Sequence, residues 1–296
     1  MKEIIFKGCG TAIATPFTEN GVNFEEFGKL IEFQIQNKVD SIIVCGTTGE
    51  AATMTLDERK ETIQYAIQKV NKRVPVIVGT GSNCTAQAVE MTKFAESIGA
   101  DGALVVTPYY NKTTQEGLIL HYQTIAEATK LPIILYSVPS RTGVNILPET
   151  CKKLSEIANI VAIKEASGNI SQIAEIASLC GDNLNIYSGN DDQIVPILSL
   201  GGIGVISVIS NIMPEYTHNI TEKFFMGDMK QARKMQLEAI HLIKALFSEV
   251  NPIPVKKALN LMGYDYGEPR LPLVPMSSEK SEKLKEEMKK FDLVSF

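Results

Sequence analysis

The 296-residue chain is too long for a mini-domain and sits at the upper edge of what one hydrophobic core supports. Its 44% hydrophobic and 21% charged residues exclude intrinsic disorder and a coiled coil, and a net charge of -5 with both signs interspersed leaves no basic stripe for nucleic acid. No apolar run approaches the roughly 20 residues that span a bilayer, and Met1 to Thr11 lacks the apolar stretch of a secretion signal, so a cytoplasmic enzyme or binding protein is expected.

Short β-branched, apolar runs recur at an even pace, each followed by a longer segment with helical spacing. They begin near Thr11 (TAIAT), Ser41 (SIIVCG), Val74 (VPVIVG), Gly102 (GALVVT), Pro132 (PIILYS), Ile160 (IVAIKE), Asn185 (NIYSG) and Gly204 (GVISVIS). Most are continuously apolar, which predicts strands covered on both faces, as in parallel sheets with crossover helices. Between them Phe24, Phe27, Leu30, Ile31 and Ile35 fall at spacings of three and four, as do Ile63, Ala66, Ile67 and Val70. Asn23, Thr55 and Thr114 are placed to cap helix N-termini, and Gly99 to end a helix. Eight units of roughly 30 residues predict an α/β fold, a (β/α)8 TIM barrel over residues 1–227. A doubly wound sheet is the rival, but the first run ends in Ala14-Thr15-Pro16 rather than a GxGxxG turn. Residues 228–296 read as a helical extension packed on the barrel, with helices expected at Asp228 to Val250, Pro254 to Met262 and Ser277 to Lys290.

The cysteines, Cys9, Cys45, Cys84, Cys151 and Cys180, are odd in number and form no CxxC pair, which predicts free thiols rather than disulfides or a zinc site. His121, His218 and His241 fall in helical stretches without metal-ligand spacing. Neither a metal centre nor a Ser-His-Asp arrangement is expected.

In such barrels the chemistry sits at the carboxyl ends of the strands. Lys164 follows Ile160-Val161-Ala162-Ile163, so its amine is delivered to that end. An ammonium removed from water is poised toward the neutral amine that attacks a carbonyl. Alternatively Lys164 snorkels outward or pairs with Glu165. Tyr136, at the end of the fifth run, is either a proton shuttle or a core aromatic. Thr47-Thr48, between Gly46 and Gly49, offers hydroxyls and backbone N–H groups to a small carboxylate, although such residues also simply make turns. Arg141, expected in a loop, suits bidentate carboxylate contact or stands exposed without a role. Asp191-Asp192 reads as a helix cap rather than a catalytic pair.

The motifs GTTGE (46–50), VTPYYN (106–111), LYSVPSRTG (135–143), IKEASGN (163–169), SGND (188–191) and NPIPVK (251–256) together resemble the dihydrodipicolinate synthase family, in order and over the whole chain. The resemblance implies a pyruvate-dependent class I aldolase of lysine biosynthesis that condenses pyruvate with aspartate 4-semialdehyde. It implies Lys164 as the Schiff-base lysine and Tyr136, Thr47 and Tyr110 as a proton relay, with Tyr110 reaching into a neighbouring subunit. It further implies Thr48 at the pyruvate carboxylate, Arg141 at the semialdehyde carboxylate, and Gly189 and Ile206 lining the pocket. Neither metal nor organic cofactor is implied, and the implied assembly is a homotetramer built as a dimer of dimers.

The chain departs from the family pattern in two respects. Ser137 stands where asparagine is usual after the relay tyrosine, with little effect expected. Where lysine-inhibited members bind lysine, this chain has Leu56, Arg59 and Gln87, although Asn83 and Tyr109 remain. A lost carboxylate and an added cation disfavour an amino acid's ammonium group, so weak or absent lysine inhibition is expected. The rival functions are a sister pyruvate aldolase acting on a sugar acid, such as N-acetylneuraminate lyase or a 2-keto-3-deoxy acid aldolase, and a catalytically silent keto-acid-binding barrel. Arg141 separates the first from the synthase, because polyhydroxylated aldehydes do not require an arginine there.

Overall fold

The structure is a computed structural model that describes residues 2–295. Eight parallel strands, β1 Gly8–Ala12, β2 Ser41–Val44, β3 Val76–Gly79, β4 Gly102–Val106, β5 Ile133–Ser137, β6 Ile160–Glu165, β7 Asn185–Ser188 and β8 Gly204–Ser207, close into a barrel in the order β1-β8-β7-β6-β5-β4-β3-β2. The predicted barrel is therefore the observed one. The first strand lies three residues earlier than its apolar run suggested, so that Ala14-Thr15-Pro16 falls beyond it. A two-stranded hairpin, Phe17–Thr18 with Gly21–Val22, follows it.

Local chemistry accounts for the helices. In Phe24–Gln36, Asn23 caps the Glu26 N–H while Phe27, Leu30 and Ile31 are buried. Helix Leu56–Val70 opens with a full capping box, in which Thr55 and Glu58 satisfy each other's backbone N–H groups. Thr114 caps Gln115–Glu127, and Gly99, at φ +84°, turns the chain after Thr85–Ser97. Past Pro214–Phe225 the chain continues in helices Met229–Glu238, Ile240–Leu246, Ile253–Leu261 and Ser278–Lys289. The single long helix expected from Asp228 is thus two, broken at Ala239.

Backbone contacts group the chain into two compact units. One runs up to Gly8 and over Pro75–Ile206. Its core packs Ala103, Val105, Ile133, Leu135, Ile163 and Ile186 of the strands against Leu118, Tyr122, Leu154, Ile173 and Ile176 of the surrounding helices. The other holds Cys9–Val74 and the chain from Ser207 onward, with Phe27, Leu30, Ile31, Ile42, Ile43, Ile63 and Val70 fully buried. No helix among the described residues is long and apolar enough to cross a membrane.

Candidate active site

Side chains alternate across a strand, and the core shows which way. Leu135 and Ile163 face the helices, so Tyr136 and Lys164, one residue on, face the barrel interior. The parallel register sets Lys164 directly opposite Tyr136 on β5 and Tyr187 on β7. Lys164 is 6% exposed, and its Nζ lies 4.4 Å from the centroid of the Tyr136 ring. A cation over an aromatic face is attracted to it, which fixes the amine beside the phenol. Lys164 neither snorkels nor pairs with Glu165, which lies on the opposite face of the strand. Gly189 makes room for this arrangement: its N–H donates to the Glu165 carbonyl at 2.7 Å, and a Cβ there would stand 3.2 Å from Lys164 Cε and 2.7 Å from the Ala166 Cβ.

Behind the sheet, Glu165 and Ser137 enter a polar network. The Glu165 carboxylate accepts from Ser167 N–H and Ser167 Oγ at 3.2 and 2.9 Å. Burial pushes its pKa up to about 7, against the lowering pull of hydrogen bonds from Ser167 and Gln172. Ser137 Oγ donates to Asn145 Oδ1 at 3.2 Å and accepts from Ile146 N–H, while Asn145 and Gln172 exchange bonds of 2.6 and 3.2 Å. The serine that departs from the family pattern is thus fully engaged.

Arg141 is exposed, and it stands in a short helical turn, Pro139–Thr142, rather than in the loop expected for it. Thr107, at the end of β4, donates to Thr142 Oγ1 at 3.0 Å and anchors that turn. Tyr110 is 91% exposed and holds a left-handed backbone at φ +70°. Ile206 is fully buried in β8. Asp191 and Asp192 do not cap a helix: they lie inside the turn Asp191–Gln193, and neither that turn nor the following helix has a side-chain cap.

In the second unit the Gly46–Glu50 segment leaves β2 through Cys45, whose φ is +55°. Thr47 is exposed and Thr48 buried. Gly49 is tightly enclosed, since a Cβ there would stand 3.2 Å from Cys45 N and 3.3 Å from the Ile13 carbonyl oxygen. Thr15 Oγ1 donates to its carbonyl at 2.9 Å. Asn251, which sequence reasoning left without a role, donates to Thr48 Oγ1 at 3.0 Å. No local pattern reports that contact, because the partners are 203 residues apart.

A closed parallel barrel whose interior presents a buried lysine against a tyrosine, at the ends of adjacent strands, defines a barrel enzyme equipped for carbonyl chemistry. The chain matches the model of the dihydrodipicolinate synthetase family over residues 5–291 and belongs to that family. It is 58% identical to the 4-hydroxy-tetrahydrodipicolinate synthase of Acetivibrio thermocellus, over 99% of this chain and 100% of that one. Among solved structures it resembles the dihydrodipicolinate synthase of Thermotoga maritima, at TM-score 0.96 and 45% identity, over 98% of this chain and 100% of that one. It also resembles the Acinetobacter baumannii enzyme complexed with pyruvate, at TM-score 0.95 and 42% identity, over 97% and 99% of the two chains.

Proposed function

We propose that this protein condenses pyruvate with L-aspartate 4-semialdehyde to give 4-hydroxy-tetrahydrodipicolinate, the activity carried in the name of its relatives. The observation that carries the reading is the buried Lys164 amine held against the Tyr136 ring in a chain that aligns end to end with named synthases. Lys164 attacks the pyruvate ketone and loses water to form an imine. Removal of a methyl proton gives the enamine, whose carbon adds to the aldehyde. The substrate's own amine then attacks the imine carbon, closes the ring and releases Lys164.

Tyr136 is the group that gives and takes the protons of imine formation and release, with Thr47 and Tyr110 completing the relay. Thr48 receives the pyruvate carboxylate and Arg141 the second carboxylate, while Gly189 and Ile206 line the pocket. A guanidinium carried on an anchored turn favours a substrate with a second carboxylate over the polyhydroxylated aldehyde of a sugar-acid aldolase. The exposed, left-handed Tyr110 supports an assembly in which a neighbour receives that ring, and we assign a cytoplasmic homotetramer built as a dimer of dimers.

Steady-state assays with pyruvate and either aspartate semialdehyde or N-acetylmannosamine test the assignment. Turnover with the semialdehyde alone is expected. Preferential turnover with the sugar aldehyde would move the protein to the sister activity, and turnover with neither would leave a silent keto-acid binder.

A further inference from the structure

The Asn251–Lys256 motif takes no part in the chemistry above, yet it contains some of the most deeply buried polar groups of its unit. Lys256 and Glu50 side chains are 1% and 0% exposed, and Lys256 Nζ donates to Glu50 Oε1 at 2.8 Å. The same ammonium donates to the Glu268 carbonyl at 3.2 Å and lies 4.4 Å from the centroid of Phe17. Glu50 Oε2 accepts the Arg270 backbone N–H at 3.1 Å. The Arg270 guanidinium stacks on Phe17 at 4.0 Å and forks onto Glu58, in the capping box of Leu56–Val70, at 2.8 and 2.6 Å.

Glu50 is the last residue of the Gly46–Glu50 segment and holds a left-handed backbone at φ +52°. Its N–H donates to the Thr47 carbonyl at 3.1 Å, and its own carbonyl accepts from Thr53 N–H and Oγ1, each at 3.0 Å. The side chain of Glu50 therefore anchors the end of the segment that carries Thr47 and Thr48, the residues assigned to substrate in the proposed reaction. A buried ion pair stabilises poorly, because desolvation cancels most of its attraction, and a well-packed apolar pair would serve stability as well. Burial indeed holds the Lys256 pKa below its ordinary value despite the opposing pull of Glu50. A pair of this kind supplies fixed geometry. Asn251 adds direction: by donating to Thr48 Oγ1 it occupies one lone pair and leaves the single hydroxyl proton to point elsewhere.

We propose that Lys256 and Asn251 are positioning residues for keto-acid recognition: Lys256, through Glu50, fixes the Gly46–Glu50 segment, and Asn251, through Thr48, orients a hydroxyl donor toward the pyruvate carboxylate. This rests on the function assigned above. Neither residue belongs to the reacting set, so their loss weakens substrate binding and leaves the chemical step nearly intact, raising the KM for pyruvate rather than lowering kcat.

The experiment uses the full-length protein, well below its melting temperature, and begins with borohydride trapping of pyruvate by the wild type. Absence of a Lys164 adduct overturns the functional reading itself, separately from the positioning proposal. With trapping in hand, Asn251→Ala is expected to raise the KM for pyruvate about tenfold with kcat within about twofold, and to add less than about twofold in a Thr48→Val background. Lys256→Met is expected to raise the KM at least about tenfold, and Lys256→Arg, which keeps the charge, to recover most of that loss. If Lys256→Met does not fold, Lys256→Arg and the Asn251–Thr48 cycle decide. The proposal is overturned if Asn251→Ala lowers the melting temperature while leaving the KM unchanged. It is equally overturned if Asn251→Ala retains its full effect without the Thr48 hydroxyl, or if folded Lys256→Met binds pyruvate as the wild type does.

Discussion

Lys164 and Tyr136 stand opposite one another on adjacent parallel strands, with the amine 4.4 Å from the centre of the phenol ring. The contact follows from register. Strand pairing that aligns Ile163 with Leu135 on the helix-facing side places the next residues together on the interior side. A one-residue slip would send both to the wrong face.

Tyr136→Phe keeps the ring over the amine and removes only the hydroxyl. It is expected to lower kcat by about 10²- to 10³-fold with the KM for pyruvate changed only a few-fold, in the range for loss of a general acid–base group. Steady-state kinetics check this. A kcat near that of the wild type would remove Tyr136 from the proton relay.

Glu165 gives the protein a pH-dependent stability of known sign. Its pKa is raised from the ordinary 4.5 to about 7 by burial, so the neutral form stabilises the fold fully below pH 4.5 and that contribution is lost as pH rises through about 7. Urea unfolding across this range is expected to show the wild type losing on the order of 3 kcal/mol relative to Glu165→Gln. The amide can keep both Ser167 contacts because the Ser167 hydroxyl can turn from donor to acceptor. A difference independent of pH would contradict the assignment.

Lysine is expected to inhibit weakly. Leu56 is 48% exposed and apolar, Arg59 carries a positive charge, and Gln87 accepts from Ser82 Oγ at 3.0 Å in place of a free carboxylate. A rate assay at about 1 mM lysine, an affinity of only about 4 kcal/mol, is expected to retain most of the activity. Half-inhibition below that concentration would overturn the expectation.

Most of the fold was legible because its signals are local. Continuous apolar runs marked the strands, and Asn23, Thr55 and Thr114 cap as their spacing implied, since each reaches an N–H only three residues away. What was not legible depends on distant partners. Arg141 rides a helical turn because Thr142 is tied to Thr107, 35 residues back. The break at Ala239 leaves no trace in a segment whose apolar spacing continues across it. The Glu50–Lys256 pair joins residues 206 apart, so no local pattern reports it. Lys164 and Tyr136 could be picked out as neighbours at the ends of adjacent strands, and the register supplies the contact itself, the amine 4.4 Å from the ring centre.

Tyr110 supplies a prediction about assembly. A 91% exposed aromatic in a left-handed backbone gains from being covered, and light scattering is expected to show a tetramer. Tyr110→Phe is expected to stay assembled while losing about tenfold or more in kcat. A fully active monomer would take Tyr110 out of the mechanism.

The most direct measurement is borohydride reduction of the protein with pyruvate present, followed by intact mass and peptide mapping. One reduced pyruvate adduct per chain is expected, on the peptide carrying Lys164, with none in Lys164→Ala. A folded wild-type protein that gains no adduct, or gains it on another lysine, would contradict the role assigned to Lys164.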